Sequence, residues 1–156
     1  MHFIDATVDR WQPLVEGEPP RDHALLSLEQ WNARRDHWPR NVPTGISLPN
    51  TADVEELATE VARWSLIVLH FPKWTDGRAY SQARLLRARL RFGGEVRASG
   101  DVLVDMLPLL QRSGFDAAQL RADQDRANAQ RALHFFERGH YQGDVLQSRP
   151  LFARSI

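Results

Sequence analysis

A polar turn between a buried apolar run and an amphipathic segment holds the residues best suited to chemistry. The apolar run Leu66 to Phe71 leads into Asp76, Gly77 and Arg78, and a helical pattern begins at Arg78. Ligand sites in α/β proteins gather where strands end and helices begin, because loop side chains and free backbone N–H groups meet there. We therefore expect the functional surface at this turn.

A second polar turn, Ser99 to Asp101, follows the next predicted strand, which contains Arg97. In a parallel sheet the two turns share one edge, so four charged residues are expected to form an anion pocket: Asp76, Arg78, Arg97 and Asp101. The alternative is a scaffold. In that case the aspartates serve as helix N-caps and the arginines pair with them.

Three side chains flank the first turn. Tyr80 and Ser81 lie in the first turn of the predicted helix, where the Tyr80 hydroxyl could orient a ligand or donate a proton; the alternative is a packed ring. His70 precedes Phe71 and is a candidate acid or base, and the alternative is a core histidine. The catalytic residues themselves are not assigned.

Composition limits the chemistry. The chain has no cysteine, which removes thiolate nucleophiles, disulfides and Cys-ligated zinc or iron–sulfur clusters. The six histidines show no metal-ligand spacing, and no nucleotide fingerprint or P-loop is present. We expect no metal and no cofactor.

Net charge is zero, with 20 basic and 20 acidic side chains, so no global field favours nucleic acid or an anionic membrane. The sequence has no apolar run of membrane-spanning length, and its N-terminus lacks the pattern of a signal peptide. We expect a cytoplasmic protein with neither nucleic-acid nor membrane partners.

The elements that position these residues alternate between strand and helix. Four strands are predicted at 45–48, 66–71, 95–98 and 116–120, and four helices at 50–64, 78–91, 102–112 and 124–138. Single helices between strands indicate a parallel sheet. The predicted fold class is α/β, with about four βα units in a mainly parallel sheet, either open or curved like half of a barrel.

One domain is expected, in three parts: residues 1–42 as a small N-terminal β appendage, 43–139 as the βα core, and 140–156 as a tail. Strand-like spacing in 3–14 and 24–31 predicts a hairpin or small sheet beside the core. About four βα units cannot close a barrel, so a homodimer is expected to cover the sheet edges.

The same residues resemble a bacterial family, the domain of unknown function numbered nine hundred and thirty-four. Its pattern F-P-x-F-x-D-G-R-x-Y-S-x-A-R-x-L-R is matched from Phe71 to Arg87, with Trp74 in place of the second Phe. Later matches are Arg97-Ala98, Gly100-Asp101, Asp105 and Arg112-x-Gly114-Phe115-Asp116. The resemblance extends to the N-terminal LLSLEQW and GISLPNTADVEELA stretches, so it covers most of the chain.

Proteins similar to this one are labelled probable oxidoreductases of sulfite reduction, a label that rests on gene association with sulfite reductase. The resemblance therefore implies a role in sulfur assimilation, with sulfite reductase components as partners. Without cysteine the chain cannot hold the iron–sulfur cluster of that reductase. Two hypotheses follow: an accessory protein of assimilatory sulfite reductase with an anion-binding edge, or a small enzyme acting on an anionic metabolite at the edge formed by Asp76, Arg78, Arg97 and Asp101.

Overall fold

All strands that the structure describes join one parallel sheet. The structure, a computed structural model, describes residues 1–134. In chain order the elements are β1 (His2–Phe3), β2 (Gln12–Pro13), β3 (Ala24–Ser27), α1 (Leu28–Arg34), β4 (Thr44–Leu48), β5 (Leu66–Phe71), α2 (Arg78–Ala88), β6 (Glu95–Gly100), α3 (Leu107–Ser113), β7 (Ala117–Ala118) and α4 (Arg126–His134). Single 3₁₀ turns occupy Val61–Arg63 and Val104–Met106.

Within residues 1–134 the sheet has seven strands in the order β1-β7-β6-β5-β4-β3-β2, and every pairing among them is parallel. Strands β1 and β2 lie at opposite ends of this order, yet only residues 4–11 join them. Six strand spacings of about 4.8 Å make a flat sheet about 29 Å wide, close to the full reach of eight extended residues. The sheet is curled like half of a barrel, which brings its two edges towards each other.

The strand and helix pattern of the core is confirmed except for its first helix, predicted at 50–64. Strands β4 to β7 and helix α2 lie where the sequence predicts them, and β5 pairs with β6 in parallel. Helix α3 ends at Gly114, whose φ of 102° is the left-handed cap conformation that glycine adopts without a Cβ clash. The last predicted helix is described as α4 up to His134. The predicted tail, 140–156, lies outside the described residues.

The hairpin interpretation of the N-terminal strands is wrong. Strands β2 and β3 are parallel neighbours of the main sheet, and β1 pairs with β7 at the far edge. The stretch 24–31 is strand only as far as Ser27, which caps α1: the Ser27 hydroxyl accepts from the Gln30 N–H at 3.1 Å, and the Gln30 side chain accepts from the Ser27 N–H at 2.9 Å. This reciprocal cap ends the strand.

The predicted helix over residues 50–64 is also wrong, because the segment forms turns and one 3₁₀ turn. Asp53 accepts from the Glu55 N–H at 2.9 Å, a local bond that competes with helix formation. The Gln82 side chain donates to the carbonyls of Pro49 and Ala52 at 3.0 and 2.9 Å. Both bonds fix the start of the segment in a conformation other than a helix.

The main core lies between the sheet and its helices. Alternate strand residues such as Ile67, Leu69 and Phe71 point into it and are fully buried. On the opposite, concave face, Leu66 and Val68 pack against Trp11 of the segment that joins β1 to β2. Both faces of the central strand β5 are therefore covered, as a continuous apolar run predicts.

Candidate functional site

Two clusters of carboxylates and arginines lie at the carboxyl edge, meaning the side of the sheet at which the C-terminal ends of its parallel strands lie, as distinct from its outermost strands β1 and β2. In the first, Asp76 accepts from Arg78 Nε at 3.0 Å and Nη2 at 2.6 Å. The Asn50 side chain, which follows β4, donates to the same carboxylate at 2.6 Å. Asp76 also accepts from the Arg78 backbone N–H at 3.2 Å, although the N-cap of α2 is Gly77 and not Asp76 as the scaffold alternative predicts.

Asp101 is the centre of the second cluster. One carboxylate oxygen accepts from the Trp74 backbone N–H at 2.9 Å, and the other accepts from Arg121 Nη1 at 2.6 Å. Arg121 also donates to both oxygens of Asp123, at 2.6 and 2.7 Å. The second cluster therefore ties the turn after β5 to the segment that follows β7.

These bonds shift the pKa values of the carboxylates. Hydrogen bonds from the Arg78 side chain lower the pKa of Asp76 to about 2, and hydrogen bonds from Arg121 lower that of Asp123 to about 2. The pKa of Asp101 is lowered chiefly by the Trp74 N–H and then by Arg121. The carboxylates in turn raise the pKa values of Arg78 and Arg121. Both clusters are thus fully ionised at neutral pH.

Arg97 lies away from these clusters, on the concave face of the sheet. It is 4% exposed, donates from Nε to Glu95 Oε1 at 2.9 Å and forms an ion pair with Asp9. Asp9 belongs to the segment that joins β1 to β2. Of the four charged residues predicted to converge, the structure pairs Arg78 with Asp76, places the loop of Asp76 against Asp101, and directs Arg97 to other partners.

His70 and Ser99 face each other at the carboxyl end of the concave face. They are register partners on β5 and β6, and His70 Nδ1 lies 3.5 Å from Ser99 Oγ. Gly100 makes room for this imidazole: its φ is +89°, and a Cβ there would lie 2.7 Å from the His70 ring and 2.3 Å from the Phe71 carbonyl oxygen. His70 is exposed, so its core-histidine interpretation does not hold.

Of the remaining predicted site residues, Gly77 and Ser81 are exposed, whereas Tyr80 is half-buried. Gly77 is the residue before α2, and Ser81 is exposed on its first turns. Tyr80 packs edge-on against Phe71 and Phe115, with ring centroids 5.1 and 6.4 Å away, and burial raises its pKa. Its ring is thus part of the packing beneath the edge.

Sequence reasoning missed Asn50 and Arg121 as members of the edge. Asn50 and Arg121 lie within two residues of the ends of the predicted strands 45–48 and 116–120, so their position in the βα pattern was an available signal. It missed Asp9 as the partner of Arg97 for a different reason, since 88 residues separate the two in sequence.

Within residues 1–134, no group of His, Asp and Glu side chains is arranged to hold a metal ion. No helix in this part of the chain is long and apolar enough to span a membrane.

The fold and the edge define a parallel α/β protein with a half-barrel sheet and a charged carboxyl edge. The chain belongs to the family described as a bacterial protein of unknown function (DUF934), whose model matches residues 45–152. This match contains both carboxylate and arginine clusters but begins after β1, β2 and β3. A comparison with curated proteins found no match.

Proposed function

We propose that the protein is an accessory protein of assimilatory sulfite reduction, which associates with sulfite reductase components and binds a small oxyanion at its carboxyl edge. The resemblance to proteins labelled for sulfite reduction supports the first part, and the family match over residues 45–152 supports that resemblance without itself naming a function. The absence of cysteine also supports an accessory role, because the chain has no thiolate to ligate an iron–sulfur cluster.

The observation that carries the oxyanion proposal is the orientation of Arg78. Its side chain is 57% exposed, and Asp76 fixes it through Nε and Nη2. Among the described residues, no acceptor receives a bond from Nη1, so this nitrogen can donate to a ligand. A guanidinium that is held in place loses little entropy when it binds a sulfite, sulfate or phosphate oxygen.

Calorimetry with sulfite, sulfate and phosphate tests the oxyanion site. Arg78→Ala is expected to weaken binding at least tenfold, while the melting temperature stays close to that of the wild type, because exposed ion pairs contribute little stability. Arg84→Ala is the matched control, since Arg84 is an exposed arginine of the same helix. Absence of anion binding by the wild type, with a sharply lower melting temperature for Arg78→Ala, would assign Arg78 to the scaffold.

A deletion strain tests the role in sulfite reduction. It is expected to grow poorly on sulfate or sulfite as sole sulfur source and normally on cysteine, because only the reductive route is impaired. Normal sulfite reduction in the deletion strain would contradict the accessory role.

The alternative is a small enzyme that acts on an anionic metabolite at the same edge. The contact between His70 and Ser99 above Gly100 favours it, because an exposed imidazole beside a hydroxyl can transfer protons. Turnover of an anionic substrate by the pure protein, lost in His70→Ala, together with a normal deletion strain would favour this alternative.

A further inference from the structure

Trp74 differs from the other four tryptophans of the chain because its side chain is exposed to solvent. The other four, Trp11, Trp31, Trp38 and Trp64, are at most 4% exposed, whereas Trp74 is 56% exposed. An indole is among the largest apolar surfaces that a side chain can bury, so its exposure leaves a large favourable contact unmade. Tryptophan is also among the residues most enriched where protein partners bind tightly.

The loop that holds Trp74 is fixed at its backbone. The Trp74 N–H donates to Asp101 at 2.9 Å, and Arg121 holds the other oxygen of that carboxylate at 2.6 Å. The Asp76 N–H closes the turn by donating to the Lys73 carbonyl at 2.9 Å. The indole is therefore presented on an ordered loop, and a partner that covers it does not have to order the backbone first.

In the two ion pairs near Trp74, the arginine is more exposed to solvent than the carboxylate that it pairs with. The Arg78 side chain is 57% exposed and its partner Asp76 only 19%, while Arg121 is 43% exposed and Asp101 only 21%. Lys73 is exposed as well. The guanidinium groups thus face solvent and the two inner carboxylates face the protein, so the rim of the loop is complementary to an acidic surface, although Asp123 at 58% exposure reduces the effect.

We propose that Trp74, with Lys73, Arg78 and Arg121 around it, is the surface through which this protein docks on a partner protein that presents an apolar pocket rimmed by carboxylates. This inference rests on the proposed function, because the partner is taken to be the catalytic hemoprotein of sulfite reductase. The indole fills the pocket, and the three cations pair with its rim.

The first measurement concerns the free protein. Trp74 is expected to account for nearly all acrylamide quenching of the tryptophan fluorescence, so Trp74→Phe removes the quenchable fraction. A wild-type protein whose tryptophans are all shielded would overturn the surface, because the indole would then be covered within the chain itself.

The second measurement is the affinity for the purified hemoprotein, by biolayer interferometry. Trp74→Ala is expected to weaken binding at least tenfold and to leave the melting temperature unchanged, because the backbone bond to Asp101 remains. Val15→Ala is the control, since Val15 is 63% exposed but lies outside the docking surface, and its affinity should stay within twofold. Wild-type affinity should fall as salt is raised.

The outcomes separate the two proposals. Binding that Trp74→Ala leaves unchanged overturns the docking surface alone and leaves the accessory role standing. A wild type that fails to bind the hemoprotein overturns the surface together with its assigned partner, while the growth of the deletion strain decides the accessory role separately. Loss of sulfite-dependent growth in a Trp74→Ala strain that accumulates normal amounts of the protein supports both.

Discussion

At the scale of single residues, the two aspartates at the carboxyl edge act first as acceptors that orient their neighbours. Asp76 receives bonds from Asn50 and Arg78, and Asp101 receives bonds from Trp74 and Arg121. An arginine that is already paired can still bind an anion through its remaining donors, because a guanidinium has five N–H groups. Pairing of Arg78 with Asp76 is therefore compatible with anion binding by Arg78, whereas Arg97, the other arginine of the predicted pocket, pairs with Asp9 on the concave face.

The lowered pKa of Asp76 predicts how the stability of the folded protein changes at acidic pH. Its pKa of about 2 in the folded protein lies below the ordinary value of 3.8, because Arg78 bonds to the ionised form. The stabilisation from this group is complete above pH 3.8 and is lost as pH falls towards 2. The stability difference between wild type and Asp76→Asn should thus shrink across this window.

Denaturant unfolding at several pH values between 5 and 2 measures this effect, and Asp36→Asn is the control because Asp36 is an exposed residue outside the clusters. A stability difference for Asp76→Asn that stays constant over the window would contradict the role of the Arg78 bond in holding the carboxylate ionised.

At the scale of elements, the turn from β6 to the following segment depends on the lack of a side chain at Gly100. The chain passes so close to β5 that the Asp101 N–H donates to the Phe71 carbonyl at 2.8 Å. This contact, together with the positive φ of Gly100, places Asp101 beneath the Trp74 loop. The position of the whole edge thus depends on one close approach of two backbones.

Gly100→Ala is expected to destabilise the protein by at least about 1–3 kcal/mol, because the residue is held at φ +89° and its new Cβ would lie 2.3 Å from the Phe71 carbonyl oxygen. Gly93→Ala is the control, since nothing lies within 4 Å of a Cβ there, and its effect should stay within about 0.5 kcal/mol. Thermal and urea unfolding measure both variants. Equal stabilities would show that β6 can shift to accept the methyl group.

At the scale of the whole molecule, the segment 4–11 carries the chain from one edge of the sheet to the other. It also returns the chain from the carboxyl end of β1 to the start of β2. There Gln12 is in register with Ala24 and Thr44, the first residues of β3 and β4. Two contacts fix this segment on the concave face: Trp11 packs on Leu66 and Val68, and Asp9 pairs with Arg97. We infer that the segment closes the half-barrel in place of a further strand.

Arg97→Met should therefore destabilise the protein by about 3 kcal/mol or more, because Asp9 and Glu95 would remain on the concave face without their shared partner. The triple variant that adds Asp9→Asn and Glu95→Gln should recover part of the loss, since it removes the unpaired charges. Urea unfolding measures both. A cost below about 1 kcal/mol for Arg97→Met would mean that apolar packing of Trp11 alone holds the segment.

The local pattern of the sequence was enough to predict the four core strands, helix α2 and the parallel sheet. Apolar residues recur along each of these elements with the period of a strand or of a helix, and glycine or proline marks the ends of the elements. Residues close together in the sequence are therefore enough to predict these elements. The carboxyl-edge positions of Asp76 and Asp101 followed from that pattern, because side chains that succeed parallel strands share one edge.

Only the tertiary structure decided the partners. The pairing of Arg97 with Asp9 depends on the curl of the sheet, and the loss of helix in 50–64 involves a distant glutamine, Gln82, which takes the carbonyls of Pro49 and Ala52. The N-terminal strands joined opposite edges of the sheet for the same reason. These contacts join residues that are far apart in the chain and depend on the curled sheet, so a pattern of neighbouring residues does not predict them.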